Sequence, residues 1–459
     1  MPTPCDCGDY TRGYQGFAPR LAGSTVSEEM RLVRGPAFGK SSSAAGSAAP
    51  DDWPAFLARP SRTSSALSPP PAVLDELWGA KLAVSAPAKP ATHLERDRRQ
   101  SERFLGPLSP PVVGYGLVVV ALPEEHAVVA LDAASGRMRW RFPTGGKVDS
   151  PPTLAAGLAV FGCDDGHVRA LDLLTGSLVW KRLIAPTRAK AMLHGHLGSA
   201  HPLPGATLVL GDKVIVAAGV HSDVSGLHFH VLDLATGASR AHRVLGADHP
   251  TPVTNGLLVA DPDGKTFWLG RRIRLDLRLH EVQIAPEDAP PIFFDRNGDR
   301  MRFRSNDRRG GSTHGWKGAM QSGWARAHRI ARSEDGTAYA LKDPTSGDRH
   351  KVRVSQTALL TAAHGSWRER KARWTATAAD LDAAERESYS ALLKAGDRLY
   401  LGGGSRDGSS GFLQEVDARA GELLRSLPLP ARVVECGLAV ARRKLFVSLE
   451  NGQLLCFGK

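Results

Sequence analysis

The sequence predicts an all-β protein, a β-propeller of about eight four-stranded blades, with seven blades as the alternative count. Three observations predict this fold. An internal repeat of short apolar strands begins near Gly106, each repeat has a glycine turn before its last strand, and the clearest copies carry a tryptophan in that strand. The 459 residues are 42% hydrophobic and 23% charged, which is ordinary for a globular protein. No uninterrupted apolar run of about 18 residues predicts a membrane helix.

The repeat is clearest in its first two copies. Ser109–Pro111 recurs as Ser150–Pro152 about 40 residues later, and both copies end in Ala-Leu-Asp, a Ser-Gly or Thr-Gly turn, and a tryptophan strand. Weaker copies follow downstream. The positions that define the repeat are Asp132, Gly136 and Trp140, then Asp172, Gly176 and Trp180, then Asp233 and Gly237, and finally Asp417 and Gly421.

Each residue type has a physical role in such a unit. Glycine supplies the positive φ of a tight turn, aspartate accepts hydrogen bonds from turn amides, and the tryptophan ring covers the gap to the next blade. We therefore expect Trp140 and Trp180 to be buried between neighbouring sheets.

Further strand pairs complete the predicted ring. Asn255–Leu269 and Pro291–Arg304 show hairpin patterns, a degenerate repeat is predicted around Ala340–Gly347, and Gly437–Phe457 forms the last unit. That last unit lacks a tryptophan strand. Residues 77–82, with Trp78, have a strand pattern without partners, so we expect them to form its outermost strand and to close the ring.

The chain is predicted to divide into two regions. Residues 1–71 form an N-terminal extension with a Ser/Ala/Pro-rich linker, and residues 72–459 form the propeller, with its closing strand at 77–82 and its main repeats at 106–459. Residues 1–16 show no basic-then-apolar export signal. Cys163, Cys436 and Cys456 lie in apolar strands and are expected to be buried thiols.

The Ala-Leu-Asp, Thr-Gly and Trp pattern resembles the PQQ-like repeat of quinoprotein dehydrogenases and of BamB, the outer-membrane assembly scaffold lipoprotein. The resemblance covers roughly residues 72–459, and Asp51–Pro54 resembles the segment that precedes the first blade in such proteins. It implies a bacterial, extracytoplasmic protein. The family's enzymes hold their quinone with an adjacent-cysteine ring and a calcium ion, but this sequence has no adjacent cysteines, and we assign no catalytic residue.

Histidines are concentrated in the insertion before and within the third repeat. Imidazole suits zinc, copper or nickel, and two histidines at alternate positions of a strand point to one face. The alternative is a polar loop with hydrogen-bonded or solvated histidines. The candidate metal ligands are His194, His196, His228 and His230; His201 and His221 lie nearby.

Three other patterns have simpler explanations. Cys5 and Cys7 lack a second ligand pair and predict a turn. Asp295, Asn297 and Asp299 resemble half of a calcium loop without its glycine, so a hairpin turn is expected. Two basic clusters could bind a polyanion, or could be solvated loops: Arg302–Arg309, with Lys317, Arg326, Trp316 and Trp324 nearby, and Trp367–Trp374.

These observations favour a non-catalytic, monomeric binding or scaffold protein that uses propeller-face loops to bind a protein or a small ligand. Two alternatives stay open: a PQQ-dependent or divalent-metal-dependent oxidoreductase, and a polyanion-binding module suggested by the net charge of +12.

Overall fold

The fold is taken from a computed structural model. It describes residues 16–17, 26–40, 48–84, 106–193, 196–220, 222, 226–246, 257–261, 263–269, 273–280, 282–284, 292–294, 300–302, 329–332, 337–341, 358–364, 371–382, 387–405 and 408–459.

The described chain is built from strands. They are β1 (Gly16–Phe17), β2 (Leu32–Arg34), β3 (Ser65–Ala66), β4 (Asp75–Lys81), β5 (Val112–Gly114), β6 (Leu117–Leu122), β7 (Ala127–Asp132), β8 (Met138–Pro143), β9 (Thr153–Ala155), β10 (Leu158–Gly162), β11 (His167–Asp172), β12 (Leu178–Leu183), β13 (Lys190–Leu193), β14 (His196–Ser199), β15 (Leu208–Leu210), β16 (Lys213–Ala218), β17 (Leu227–Asp233), β18 (Ser239–Leu245), β19 (Leu258–Ala260), β20 (Thr266–Leu269), β21 (Ile273–Asp276), β22 (Val282–Ile284), β23 (Ile292–Phe294), β24 (Arg300–Arg302), β25 (Arg329–Arg332), β26 (Ala338–Leu341), β27 (Ala358–His364), β28 (Lys371–Thr377), β29 (Glu387–Ala395), β30 (Arg398–Ser405), β31 (Gly411–Asp417), β32 (Leu423–Leu429), β33 (Val433–Ala441), β34 (Lys444–Leu449) and β35 (Gln453–Gly458).

Eight sheets follow one another along the chain, and most are antiparallel meanders of four strands. The first sheet is β5–β8, the second is β9–β12 with β2 added outside β12, the third is β15–β18, and the fourth is β19–β22. A two-stranded sheet, β23–β24, comes next, followed by β25–β28, by β29–β32 with β3 paired to β29, and by the C-terminal sheet β33–β35 with β4. A ninth, small sheet pairs β1, β13 and β14.

The all-β prediction is confirmed. After Gly106 the described residues contain one 3-10 turn, Pro123–Glu125, and a helical residue at Ser222. The hairpin predictions in Asn255–Leu269 and Pro291–Arg304 are also confirmed, because β19 pairs with β20 and β23 pairs with β24.

Burial explains the strand sequences. The second strands β6 and β10 are buried along their whole length, since sheets pack on both of their faces, and they are continuous apolar runs. The outermost strand β32 instead alternates between partly buried and exposed residues.

The first strands of successive sheets lie side by side. β5 contacts β9, β9 contacts β15, and β15 contacts β19; on the other side β25 contacts β29, β29 contacts β33, and β33 contacts β5. This arrangement places the first strands around a common centre, as in a propeller, and brings the C-terminal sheet beside the first sheet.

Tryptophans join neighbouring sheets in one repeated geometry. Trp180 of β12 is fully buried; its indole N–H donates to the Leu234 carbonyl (2.9 Å), and its ring lies against Gly237 in the turn of the third sheet. Trp140 docks in the same way on the second sheet, donating to Leu173 (2.8 Å) beside Gly176. The predicted burial of Trp140 and Trp180 is confirmed.

The same geometry appears where the chain ends meet. β4 pairs with β35, with Trp78 opposite Cys456, so the predicted pairing of this strand with the C-terminal unit is confirmed. Trp78 donates to the Ala133 carbonyl (3.4 Å) and lies on Gly136 of the first sheet.

A fourth docking tryptophan corrects the prediction for the later repeats. Trp374 of β28 donates to the Ala418 carbonyl (3.1 Å) and packs on Gly421. The degenerate repeat around Ala340–Gly347 was misplaced, because Ala340 lies in β26, the second strand of its sheet, and β27 is the third.

The Ser/Ala/Pro-rich stretch also differs from its predicted role as a linker. Trp53, Phe56, Arg62 and Ser64 are all buried. They are buried by strands that are distant in the sequence, so the local composition could not predict their burial. The boundary between the two predicted regions stays a prediction.

Candidate functional site

A cluster of four histidines lies between the second and third sheets. His228 and His230 share one face of β17, and the hairpin register places His242 of β18 opposite His230. The His230 and His242 rings stack with centroids 4.2 Å apart, and the His228 ring lies 5.8 Å from His242 and 5.4 Å from His201. We call these four residues the histidine cluster.

The surroundings of the histidine cluster lower the pKa of two of its members. Burial lowers the pKa of His230 well below its usual value, and the charges of His242 and Arg182 lower it further. Burial also lowers the pKa of His242, and Arg31 adds to this effect. Two guanidinium groups beside the imidazoles disfavour an added cation.

The two arginines lie where strand β2 covers β12, since Arg31 directly precedes β2 and Arg182 belongs to β12. Arg31 donates to the carbonyls of Leu183 (3.3 Å), Ala185 (2.9 Å) and Pro186 (3.0 Å). Arg182 forms an ion pair with Glu28. Strand β2 is therefore held by its backbone pairing with β12 and by the contacts of Arg31 and Glu28, which precede it in the sequence.

The structure brings together two of the four predicted metal ligands. His228 and His230 are neighbours; His194 lies outside the described residues, and His196 is placed at the start of β14 by its backbone. Within the described ranges, no group of three or more His, Cys, Asp or Glu side chains is arranged to hold a metal. The metal site stays a prediction.

Sequence reasoning missed His242. The signal was present: the turn between Asp233 and Gly237 sets the register of the β17–β18 hairpin, and that register pairs position 230 with position 242.

A small sheet is built on the connection between the second and third sheets. β13 and β14 form a hairpin in which Met192 pairs with Leu197, and β1 adds to the other edge of β13 with Gly16 opposite Met192. Ala191 is buried, whereas Met192 and Leu197 are 40% and 56% exposed. The outer face of this hairpin is therefore apolar.

A second feature occupies the centre of the sheets. We call residues 51–66 the crossing segment, because they bind the first strands of one sheet after another. Trp53 pairs with Val113 through two backbone hydrogen bonds of 2.8 Å, and the Leu154 amide donates to the Pro54 carbonyl (2.7 Å). At its other end, the Lys394 amide donates to the Ser64 carbonyl (2.9 Å).

Arg62 is the centre of the crossing segment. Only 1% of Arg62 is exposed, and its guanidinium donates to the carbonyls of Phe56 (2.9 Å), Leu258 (3.2 Å) and Thr207 (3.3 Å). Burial lowers its pKa to about 9. One side chain therefore ties together the entrances to the third and fourth sheets.

Further charged contacts hold the start of the crossing segment. Asp52 accepts from Arg442 Nε of the C-terminal sheet (2.9 Å) and from the Tyr115 amide of the first sheet (3.2 Å). Phe56 packs in a small apolar cluster with Ala206 and Cys436. Together these contacts join the start of the crossing segment to the first and C-terminal sheets.

The described residues lack two features with which related enzymes hold a calcium-bound quinone. The three cysteines in the described part of the chain, Cys163, Cys436 and Cys456, are far apart in the sequence, and none is adjacent to another. Within the same ranges, no three or more His, Cys, Asp or Glu side chains are grouped so that they could hold a metal ion. We therefore derive no reaction step through a quinone.

The cysteines themselves are mostly buried, as predicted. Burial raises the pKa of Cys163, and raises the pKa of Cys456 to about 12. Cys436 differs from the prediction because it is only half-buried; it has a φ of 54° in the irregular part of β33.

The remaining candidate residues are partly placed. Cys5 and Cys7, Asp295, Asn297 and Asp299 lie outside the described residues, as do 303–309 and 367–370 of the two basic clusters. In the second cluster Trp374 packs on Gly421, so its ring is engaged within the fold.

Comparison with known proteins finds similarity over part of the chain. Residues 75–272 match the profile of the family described as outer membrane protein assembly factor BamB. A protein of that name from Moranella endobia is 28% identical over 156 residues, which are 33% of this chain and 37% of that protein. The one from Yersinia pestis is 26% identical over 209 residues, 44% of this chain and 51% of that protein. The chain thus spans about half or less of the curated relatives it matches.

Solved structures agree on the fold. The quinohemoprotein alcohol dehydrogenase from Comamonas testosteroni is similar with a TM-score of 0.58 and 14% identity, covering 89% of this chain and 81% of that one. At this identity the similarity concerns the fold alone. No helix among the described residues has the length and apolar character needed to cross a membrane.

Proposed function

We propose, on the premise that residues 75–272 match the BamB family profile, that the protein is a non-catalytic scaffold that binds other proteins through loops at one face of its propeller. The observation that carries the proposal is the crossing segment. Its buried Trp53, Phe56 and Arg62 take up one end of the central region, where a propeller would otherwise offer a cavity to a small ligand.

The distribution of loops supports one binding face. At the end closed by the crossing segment, the turns are short and tied by side chains, as in Asp172, which accepts from the Thr175 amide (2.9 Å) and hydroxyl (2.7 Å). At the opposite end lie the longer connections, including the one that carries β13 and β14. Longer, less constrained loops are where binding residues concentrate.

The architecture belongs to the same proposal. We take the eight successive sheets as eight blades of one ring, closed by β4 at the C-terminal sheet, with residues 72–459 as the propeller region. The contact of β33 with β5 and the docking of Trp78 on Gly136 support this closure. We further propose an extracytoplasmic, monomeric protein, in keeping with the relatives' name.

The test uses a partner whose chemistry follows from that name. A fluorescently labelled, urea-unfolded outer-membrane β-barrel protein is diluted into buffer with the full chain, and anisotropy is recorded against chain concentration. We expect saturable binding. In parallel, the full chain is mixed with PQQ and Ca²⁺ and separated from free quinone, and we expect no quinone absorbance in the protein fraction.

The alternatives each have a distinct result. Stoichiometric PQQ uptake would overturn the scaffold proposal in favour of an oxidoreductase, and bound zinc, copper or nickel after metal analysis would restore the metal hypothesis. Binding of the unfolded barrel protein that disappears with salt, together with salt-sensitive retention on heparin, would instead indicate a polyanion-binding module.

A further inference from the structure

We propose that the edge of β13 now paired with β1 is a strand-addition site, which binds an extended segment of a partner protein carrying an apolar residue, then any residue, then a carboxylate. This inference rests on the proposed binding function and assigns a place and a sequence preference to it. The partner strand would replace β1 in the same antiparallel register.

The edge of β13 already accepts a strand. Within the described residues, β1 pairs with β13 at two positions, with Gly16 opposite Met192 and Phe17 opposite Ala191. The backbone groups of an edge strand are a template for any extended chain, and a longer strand makes more of the ladder. A two-residue occupant is therefore readily displaced.

Strand β1 leaves the apolar face of this hairpin uncovered. Met192 and Leu197 are direct cross-strand neighbours on the outer face and remain 40% and 56% exposed. The residue of β1 in the same row is Gly16, which has no side chain to pack on them. A large apolar residue in that row would bury both side chains.

Two exposed cations lie at the same edge, at the start of β13. Lys190 lies two residues before Met192 and so faces the same side of β13, and it is exposed. Arg188 is exposed just before it, and within the described residues neither cation forms an ion pair or a side-chain hydrogen bond. In the β1 register, the partner residue opposite Lys190 comes two positions after the one opposite Met192. A carboxylate there complements both cations.

The direct test measures peptide binding to the full chain. Two fluorescein-labelled extended peptides differ only at the two key positions, one with Leu-x-Glu and one with Gly-x-Ala. We expect the Leu-x-Glu peptide to bind about tenfold more tightly, as expected for burying an apolar side chain and adding one charge pair. Equal affinities of the two peptides would overturn the inference.

Protein variants locate the site. Met192→Asp should lose the preference for the Leu-x-Glu peptide, whereas Met138→Asp should keep it, because Met138 is 51% exposed on the outer strand of another sheet. Lys190→Glu should reverse the charge preference, so that a Leu-x-Lys peptide binds better than Leu-x-Glu. A general loss of folding could not produce that reversal.

Displacement of β1 has its own signature. Phe17→Pro removes a backbone donor from β1 and disfavours its strand, so we expect this full-length variant to bind the Leu-x-Glu peptide more tightly than the parent chain. Weaker binding, or the same effect of Asp at 192 and 138, would contradict the inference. If Met192→Asp still binds the unfolded barrel protein like the parent chain, the hairpin site is wrong while the scaffold function stands.

Discussion

Two successive junctions between sheets are built in different ways. Where the second sheet meets the third, Trp180 is buried on Gly237 and donates to the Leu234 carbonyl. Where the third meets the fourth, no tryptophan is available. There Arg243 of β18 donates to the carbonyls of Leu279 (2.8 Å) and His280 (2.8 Å).

The comparison separates the donor from the aromatic ring. Both junctions place an N–H donor from the last strand of one sheet on carbonyls in the turn of the next. The tryptophan adds a large buried surface to that hydrogen bond, whereas the partly exposed arginine adds mainly charge-assisted hydrogen bonds. The junction with Trp180 should therefore be the more stable of the two.

The largest effect is expected from removing the ring. Trp180→Ala should lower the free energy of unfolding by about 3–5 kcal/mol, the usual range for deleting a buried aromatic side chain. Urea unfolding followed by fluorescence of the remaining tryptophans measures this. A loss below about 1 kcal/mol would mean that the docked ring contributes little to the junction.

A smaller effect is expected from crowding the ring while keeping it. A Cβ at position 237 would lie 2.6 Å from the Trp180 ring, and Gly237 has a φ of 70°. Gly237→Ala should cost about 1–3 kcal/mol through this clash, beyond the cost of its backbone conformation.

Gly211→Ala is the matched control for that experiment. Gly211 also has a positive φ, 58°, but no atom lies within 4 Å of a Cβ placed there. Both variants carry backbone strain, so the difference between their unfolding free energies reports the clash with the ring. Equal losses would show that the close approach at Gly237 relaxes freely.

The arginine junction should lose less. Arg243→Met keeps much of the aliphatic volume and removes the hydrogen bonds to two carbonyls, which should cost about 1–2 kcal/mol. Arg139→Met, which removes an exposed ion pair with Asp132, should cost less than about 0.5 kcal/mol. If the two variants unfold alike in urea, Arg243 does not hold the junction.

The tryptophan junctions were predictable because their signal is local. An aspartate, a glycine and a tryptophan in a fixed order mark each turn and strand, and the unpaired pattern at Trp78 pointed to its place beside β35. Trp374 was missed because its own sheet lacks that order. Its partner turn at Gly421 was recognised, but the residues near Gly421 do not indicate which tryptophan, distant in the sequence, packs on that turn.

The crossing segment could not be predicted for a different reason. Leu57, Ala58, Arg62 and Ser64 have positive φ values between 51° and 76° without the glycines that usually signal such a conformation. Arg62 is buried by carbonyls from separate sheets. A Ser/Ala/Pro-rich composition predicts a linker, and only the assembled first strands provide the partners that bury it.

A small pH effect is expected at another tryptophan junction, where Trp78 docks on the first sheet. Asp132 belongs to the turn that receives Trp78, and hydrogen bonds from Arg139 and Ser135 lower its pKa from 3.8 to about 2. A carboxylate with a lowered pKa in the folded state stabilises the protein above the unfolded pKa, and this contribution disappears as pH falls from about 4 to 2. The carbonyls that accept from Arg243 do not titrate in this range. Because Asp132 is near the surface, we expect the loss to be below about 1 kcal/mol.

Asp132→Asn should remove this part of the pH dependence of the urea midpoint. Glu125→Gln, which removes another surface carboxylate paired with an arginine, serves as the control. A parent chain whose midpoint falls no more steeply than that of Asp132→Asn between pH 4 and 2 would show that the turn beneath Trp78 does not depend on this carboxylate.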